Sequence, residues 1–145
     1  MTVSSKPEQL AGRLRLVITR TARRLRQEGG PEVSPSQAAA LATIELHGPL
    51  TPSELAARER IKRPTATRVI ATLEGAGLVE RQPDPADARS AKLLLSPAGR
   101  SLVQRLRRRK TAYLRRRLDA LAADELDTLE RAAEILERIL EEEPR

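Results

Sequence analysis

Apolar residues recur along most of this chain every three or four positions, the spacing of one face of an α-helix. The spacing predicts six helices, which cover approximately residues 8–28, 35–47, 52–59, 63–77, 97–118 and 123–142. The first and the last helix carry long apolar stripes, whose residues include Leu10, Leu14, Val17, Leu126, Leu129, Leu136 and Leu140. The last stripe alternates spacings of three and four residues, which is typical of a seam that packs against another helix.

Three of the predicted helices begin with a hydroxyl residue followed by proline. Ser34 and Thr51 each precede a proline, and Gln37 or Glu54 follows at the third helical position. This pattern is a capping box, in which the hydroxyl accepts a hydrogen bond from a backbone N–H and the Gln or Glu side chain reaches back to the cap. Ser96 begins a third helix in the same way, without the returning acid.

Two short apolar runs, at about residues 78–82 and 91–95, are typical of β-strands. The polar segment between them contains Asp84, Asp87 and Arg89. An ordinary tight hairpin uses Asn-Gly or Asp-Gly in a two-residue turn. We therefore expect a hairpin with a longer polar connection.

The order of these elements predicts the fold class. The third and fourth helices form a helix-turn-helix, and the hairpin that follows occupies the position of a wing. We expect a mostly α protein with a small β wing, in which residues 31–96 are a winged helix-turn-helix domain and residues 1–30 and 97–145 form a helical dimerisation region. The apolar stripes of the terminal helices would be exposed in a monomer and need a partner, so we expect a homodimer.

The composition excludes several classes of function. The chain has 145 residues, no cysteine and one histidine, so disulfides, thiolate metal sites, cysteine nucleophiles and multi-histidine metal sites are excluded. We expect no cofactor and no enzymatic activity. The chain contains no apolar run of about 18 residues, the length that spans a membrane, and the N-terminus lacks the apolar core of a signal peptide. We therefore expect a soluble, cytoplasmic protein without a membrane partner.

The charge is distributed unevenly along the chain. Residues 119–145 contain ten acidic and three basic residues, whereas the preceding 118 residues contain twenty-four basic and ten acidic residues. A basic body favours a polyanionic partner. Solvated, arginine-rich helix faces are an alternative explanation of the same charge. The basic run from Arg105 to Arg117 is expected to face the acidic last helix or its partner.

The fourth helix has an outer face that suits DNA. Its polar positions include Arg63, Pro64, Thr65, Thr67 and Arg68, and no acid appears before Glu74. Arginine can form two hydrogen bonds with guanine, threonine can contact a base edge or the thymine methyl group, and an acid-free helix N-terminus suits phosphate. This face predicts a recognition helix for double-stranded DNA. The alternative is a set of ordinary exposed polar residues.

Further candidate contacts flank this helix. Thr51 and Ser53 lie at the start of the third helix, and the wing offers Asp87, Arg89, Ser90 and Lys92. Arg89 suits the narrow, negatively charged minor groove, and Asp87 can orient its guanidinium group. A solvated loop remains the alternative for the wing.

An ordered set of segments resembles the MarR family of bacterial transcriptional regulators. The segments are Thr51-Pro52-Ser53-Glu54-Leu55-Ala56, Arg63-Pro64-Thr65-Ala66-Thr67-Arg68, Leu73-Glu74, Gly77-Leu78-Val79-Glu80-Arg81, Asp84, Asp87-Ala88-Arg89-Ser90 and Leu95-Ser96-Pro97-Ala98-Gly99. The resemblance covers nearly the whole chain. It implies a homodimeric repressor or activator that binds a near-palindromic operator. Many members of the family release DNA when a small, often phenolic, anion binds between the dimerisation and DNA-binding regions.

The resemblance also implies roles for individual residues. Pro64, Thr65 and Arg68 match the family's major-groove contacts, Arg89 matches the wing arginine of the minor groove, and Asp87 matches the acid that holds it.

Three features of the chain depart from the family's pattern. Lys62 stands where an N-capping Ser or Thr is common, and Tyr113 is the sole aromatic residue. The absence of cysteine excludes thiol redox sensing. The sequence thus predicts a homodimeric, sequence-specific repressor that a small-molecule effector can release. The alternative is a non-specific nucleoid-type DNA-binding protein without effector control.

Overall fold

The structure, a computed structural model, describes residues 5–141, and at positions 88 and 89 it describes the backbone alone. The elements in chain order are α1 Lys6–Glu28, α2 Pro35–His47, α3 Pro52–Glu59, α4 Arg63–Gly75, β1 Val79–Asp84, β2 Asp87–Leu95, α5 Pro97–Leu118 and α6 Ala123–Glu141. The two strands form one antiparallel sheet. The predicted fold class, mostly α with a small β wing, is confirmed.

The chain divides into two compact units, Met1–Lys110 and Thr111–Arg145, with the boundary inside α5. The first unit holds the core, whose largest fully buried side chains are Leu41, Leu50, Leu55, Ile70, Leu73 and Leu93. The second unit consists of the end of α5 and α6. Within residues 5–141, neither α1 nor α6 buries a side chain.

Both predicted capping boxes are confirmed. The Ser34 hydroxyl accepts a hydrogen bond from the Gln37 N–H at 3.2 Å, and the Ser34 N–H donates to the Gln37 side chain at 3.0 Å. Thr51 and Glu54 make the equivalent pair of hydrogen bonds at 3.2 and 3.3 Å. Lys62, in contrast, gives α4 no side-chain cap.

The turn of the helix-turn-helix depends on a left-handed residue. Arg60 has φ 53° and ψ 43° and follows the last residue of α3. This conformation lets the Ile61 N–H donate to the Ala56 carbonyl at 3.0 Å and close the helix end. A side chain costs about 1–2 kcal/mol in this region, whereas glycine adopts it freely.

The wing is longer and its turn is tighter than the sequence predicts. The strands reach Asp84 and Asp87, which pair with each other, so that Pro85 and Ala86 alone make the turn. The Asp84 carboxylate accepts a hydrogen bond from the Ala86 N–H at 2.9 Å and thereby replaces a backbone contact of the turn. Pro85 fixes the φ angle that the first turn position needs. The expectation of a longer connection was therefore wrong.

A set of contacts around Ser96 joins α4, the base of the wing and α5, and we call it the Ser96 junction. The buried Ser96 hydroxyl donates to the Gly77 carbonyl at 2.5 Å and accepts from the Gly99 N–H at 3.0 Å. The Ser96 N–H donates to the Leu78 carbonyl at 3.0 Å. A Cβ atom on Gly99 would lie 2.1 Å from the same carbonyl, so only glycine permits this approach.

Two arginines of the basic run in α5 bind within the first unit. Arg107 forms an ion pair with Glu45 of α2 at 2.5 Å. Arg109 pairs with Glu32 at 2.5 Å and donates to the Gly29 carbonyl at 3.0 Å. A backbone hydrogen bond at Glu32 and the Arg109 guanidinium lower the pKa of the Glu32 carboxyl. The expectation that these two arginines face the acidic last helix or its partner was wrong. Their partners are Glu45 of α2 and Glu32, which lies between α1 and α2.

The left-handed turn yields a test of stability. We expect the Arg60→Gly variant to be more stable than Arg60→Ala by about 1 kcal/mol, because both lose the guanidinium but only alanine keeps the strained Cβ. Urea unfolding of the two variants measures the difference. Equal midpoints and slopes would show that the turn stores no strain at this position.

Candidate nucleic-acid interface

Helix α4, the predicted recognition helix, has a buried and an exposed side. Its buried residues are Ala66, Ile70 and Leu73. Of the five predicted contact residues on this helix, Arg63, Pro64, Thr67 and Arg68 are exposed, and Thr65 is half-buried. The helix therefore presents four of these side chains to solvent, and Thr65 lies at the edge of the exposed face.

Two threonine hydroxyls on α4 already donate hydrogen bonds within the helix. Thr67 Oγ1 donates to the Arg63 carbonyl at 2.9 Å, and Thr72 Oγ1 donates to the Arg68 carbonyl at 3.0 Å. Since a hydroxyl has one proton, each side chain offers its methyl group and acceptor lone pairs outward. These threonines suit apolar contact or a donor on the partner.

The first turn of α4 favours an anionic partner. It contains no acidic residue, and no side chain caps its backbone N–H groups. A helix N-terminus carries partial positive charge, and its free N–H groups point outward along the axis. Arg63 adds a full positive charge at the same end. The capped starts of α2 and α3 lack this availability.

A cleft of about 390 Å³ separates α4 from the wing. Its lining includes Thr51 and Ser53 from the start of α3, Arg63 and Thr67 from α4, and Arg81 and Ser90 from the wing. Three of the predicted groups of site residues thus meet around one cleft. Pro64 and Arg68 lie on the adjoining exposed face of α4, because successive helical residues are rotated by about 100°.

The wing residues are described in part. The Asp87 carboxylate accepts a hydrogen bond from the Ser90 hydroxyl at 3.1 Å. Lys92 and Ser90 are half-buried, and Asp87 is exposed. The side chain of Arg89 lies outside the described residues, so its contact with Asp87 stays a prediction.

Arg81 belongs to this surface and was missing from the predicted site. Its Nε and one terminal nitrogen each lie 2.9 Å from Glu74 Oε1, the carboxylate in the last turn of α4. The hydrogen bond to Glu74 raises the pKa of the Arg81 guanidinium. The sequence could have indicated that Arg81 faces the body of the protein. Side chains of a strand alternate between its two faces, so Arg81 lies on the same face as the buried Val79.

Between residues 5 and 141, no cluster of His, Cys, Asp or Glu could hold a metal ion. No helix in the same part of the chain is long and apolar enough to cross a membrane. The cleft and the adjoining start of α4 present arginines, hydroxyls and free helix N–H groups.

Comparisons with known proteins agree with this geometry. The model of the MarR family matches residues 33–91, which contain α2 to α4 and most of the wing. The HTH-type transcriptional regulator ML2140 of Mycobacterium leprae (strain TN) is 40% identical over 137 residues, which are 94% of this chain and 96% of the relative. A similar regulator, Mb0904 of Mycobacterium bovis, is 39% identical over the same shares of the two chains.

Solved structures show the same fold. A protein from Pseudomonas aeruginosa PA01, described as a putative transcriptional regulator, superposes on this chain with a TM-score of 0.82 at 34% identity. The match covers 93% of this chain and 96% of that one. The wild-type apo MarR of E. coli gives a TM-score of 0.71 at 27% identity, over 86% and 95% of the two chains. The family is one of transcriptional regulators and not of enzymes. By its sequence and its winged helix-turn-helix fold, this chain belongs to the MarR family of transcriptional regulators.

Proposed function

We propose that the chain acts in the cytoplasm as a homodimeric repressor that binds a near-palindromic operator in double-stranded DNA and is released by a small-molecule effector. The observation that carries this proposal is the exposed first half of α4. It is free of acids and of side-chain caps, and it lies beside a cleft that the start of α3 and the wing also line. Base-reading side chains and phosphate-binding groups are thus combined on one surface.

Within this proposal, the contacts divide by chemistry. Pro64, Thr65 and Arg68 contact bases in the major groove, because arginine recognises guanine and the threonine methyl recognises thymine. Arg63, Thr67 and the N–H groups of α4 lie beside them. At the start of α3, the hydroxyls of Thr51 and Ser53, rather than its capped N–H groups, bind a backbone phosphate and fix the register.

The wing supplies the second contact in this proposal. Arg89 enters the minor groove, and Asp87, Ser90 and Lys92 support it from the same strand. Among solved structures of the same fold, a point mutant of S. aureus MepR was bound to an oligodeoxyribonucleotide, at a TM-score of 0.69 and 18% identity, over 90% of this chain and 97% of that one. That likeness extends to the fold alone. It supports the proposal because a protein of the same fold was bound to DNA.

The terminal helices support the proposed homodimer, with residues 1–30 and 97–145 as its dimerisation region. Leu10 and Val17 of α1 are 50% and 53% exposed, and Leu129 and Leu140 of α6 are 47% and 68% exposed. Leu14, Leu126 and Leu136 continue the two stripes. Apolar surface of this extent is unfavourable in water, and a second copy of the chain would cover it.

A cleft of about 260 Å³ beside α4 supports the proposed effector site. Ala66 and Val69 of α4 form part of its wall, together with Ile61 of the turn, and Arg26 and Glu59 add charge. A small anion would bind here through Arg26. Because two wall residues belong to the recognition helix, a bound molecule can alter the position of α4.

Arg68 tests the proposed base contact. Selection from random duplexes by the intact chain should yield a preferred duplex. The Arg68→Ala variant should lose about 1–3 kcal/mol of affinity per half-site and accept any base pair at one position, because a two-pronged guanine contact is removed. Arg131→Ala, in α6, is the control and should bind as the intact chain does. Equal affinity of the intact chain for selected and scrambled duplexes would favour the nucleoid-type alternative.

The dimer is tested by sedimentation at micromolar concentration. The intact chain should sediment as a dimer, and Leu129→Arg should dissociate or aggregate because it introduces a charge into the apolar stripe of α6. Asp127→Arg introduces the same side chain on the opposite face of the helix and should leave the dimer intact. A monodisperse monomer of the intact chain would refute the proposal.

The effector site is tested with small carboxylates, such as hexanoate and benzoate. One of them should raise the melting temperature of the chain, because a ligand that binds the folded state stabilises it, and should also lower its affinity for the selected duplex. Ala39→Phe, at the exposed rim of the cleft, should abolish both effects. An unchanged melting temperature across a panel of such anions would contradict this class of effector.

A further inference from the structure

We propose that Glu74 and Arg81 are a positioning pair that fixes the direction in which the wing leaves the body of the protein. The inference rests on the proposed function, because its consequence is the placement of the wing on DNA. Glu74 is an acid at the edge of a surface that suits a polyanion, where a carboxylate is unfavourable unless it has another task. Its two short contacts with Arg81 provide that task.

The pair joins two elements that the proposed contact with DNA must hold together. Arg63, Thr67, Ile70 and Glu74 recur on α4 at spacings of four, three and four residues, so they share one side of the helix. The first three of them line the cleft towards the wing. Glu74 ends this row, and Arg81 of β1 meets it from the other side of the cleft. The recognition helix and the wing are thus connected directly through these two side chains.

The position of the pair along the hairpin gives it mechanical importance. Arg81 is opposite Leu93 in the sheet. On its other side, Leu93 is joined to Leu50 by two backbone hydrogen bonds of 2.7 and 3.3 Å. A transverse row therefore runs from Leu50 through Leu93 and Arg81 to Glu74, and it holds both strands of the wing at one level.

Beyond this row, the hairpin leaves the core. No side chain described between residues 82 and 92 is buried, whereas Leu93 has no exposed surface. The projecting arm of about five residues is about 16 Å long at the usual strand rise. A rotation of about 10° at the row would therefore displace the tip by about 3 Å, which is enough to lose a contact with DNA.

Two explanations of Arg81 predict opposite effects of removing the acid. If Arg81 itself bound a phosphate, Glu74 would compete for it, and loss of the carboxylate would strengthen binding. If the pair directs the wing, loss of the carboxylate should weaken binding, although a negative charge beside DNA has been removed. We infer the second outcome because Arg81 makes a hydrogen bond and a second ion-pair contact to a single carboxylate oxygen across the cleft.

The decisive experiment compares Glu74→Gln with Glu80→Gln on the duplex that the intact chain selects from a random pool. Glu80 lies on the same strand, is exposed and has no ion pair among the residues described. We expect Glu74→Gln to weaken binding about two- to fivefold per protomer, the range of an exposed ion pair. Glu80→Gln should bind equally well or more tightly. Tighter binding by Glu74→Gln would overturn the inference.

Arg81 variants test the pair as a unit. Arg81→Gln should lose as much affinity as Glu74→Gln, and the double variant should lose no more than either single variant. The exchanged pair, Glu74→Arg with Arg81→Glu, should recover most of the affinity. Additive losses, or a fall of about one in the salt slope per protomer for Arg81→Gln alone, would instead identify a phosphate contact.

An Arg89→Ala background separates wing placement from a general effect on folding. With the wing contact removed, Glu74→Gln should cause no further loss of affinity. The midpoints of urea unfolding, measured for all variants, show whether a substitution destabilises the fold. An equal loss in that background would show that the pair acts elsewhere and would overturn the inference. If the intact chain selects no duplex, the proposed function itself fails. A selected duplex with unchanged Glu74→Gln affinity refutes the positioning pair alone.

Discussion

The buried hydroxyl of Ser96 is the contact on which the arrangement of the DNA-binding elements depends. It donates to the Gly77 carbonyl, just after α4, and accepts from the N–H of Gly99, the third residue of α5. Three elements thus end or begin around one oxygen atom. Since a buried polar group that loses its partners costs about 1–3 kcal/mol, a change at this position would disturb the end of α4, the base of the wing and the start of α5 together.

The Ser96 junction also explains why two glycines flank it. Gly77 has φ 73°, which turns the chain out of α4 and into β1. Gly99 allows α5 to begin against the Leu78 carbonyl, where a Cβ atom would overlap the oxygen. The helix that continues from this point reaches the second compact unit. The Ser96 junction therefore lies where the winged helix-turn-helix ends and the second segment of the proposed dimerisation region begins.

Local chemistry accounts for what the sequence could predict. The capping boxes at Ser34 and Thr51 depend on residues three positions apart, so their geometry is contained in the sequence itself. The exposed face of α4 follows equally from its helical period. The partners of Arg107 and Arg109 lie more than sixty residues away, and charge patterning could not choose between distant acids. The pairing of Arg81 with Glu74 could not be predicted either, because it depends on how the strand β1 packs beside the helix α4. The tight turn at Pro85 and Ala86 was not predicted because it contains no glycine; the Asp84 carboxylate and the fixed φ of Pro85 form it instead.

The wing extends beyond the buried leucines, and this separates the stability of the fold from the properties of the functional surface, which evolution usually has to balance. Substitutions in a core change stability, and a stabilising or destabilising change there limits what a functional surface can become. The side chains described between residues 82 and 92 contribute nothing to the core. Apart from Asp84 and Pro85, which form the turn, these residues can therefore change in descendants of this gene without disturbing the core. The tip of the hairpin is a region in which a regulator can acquire a new target while its folded framework stays unchanged.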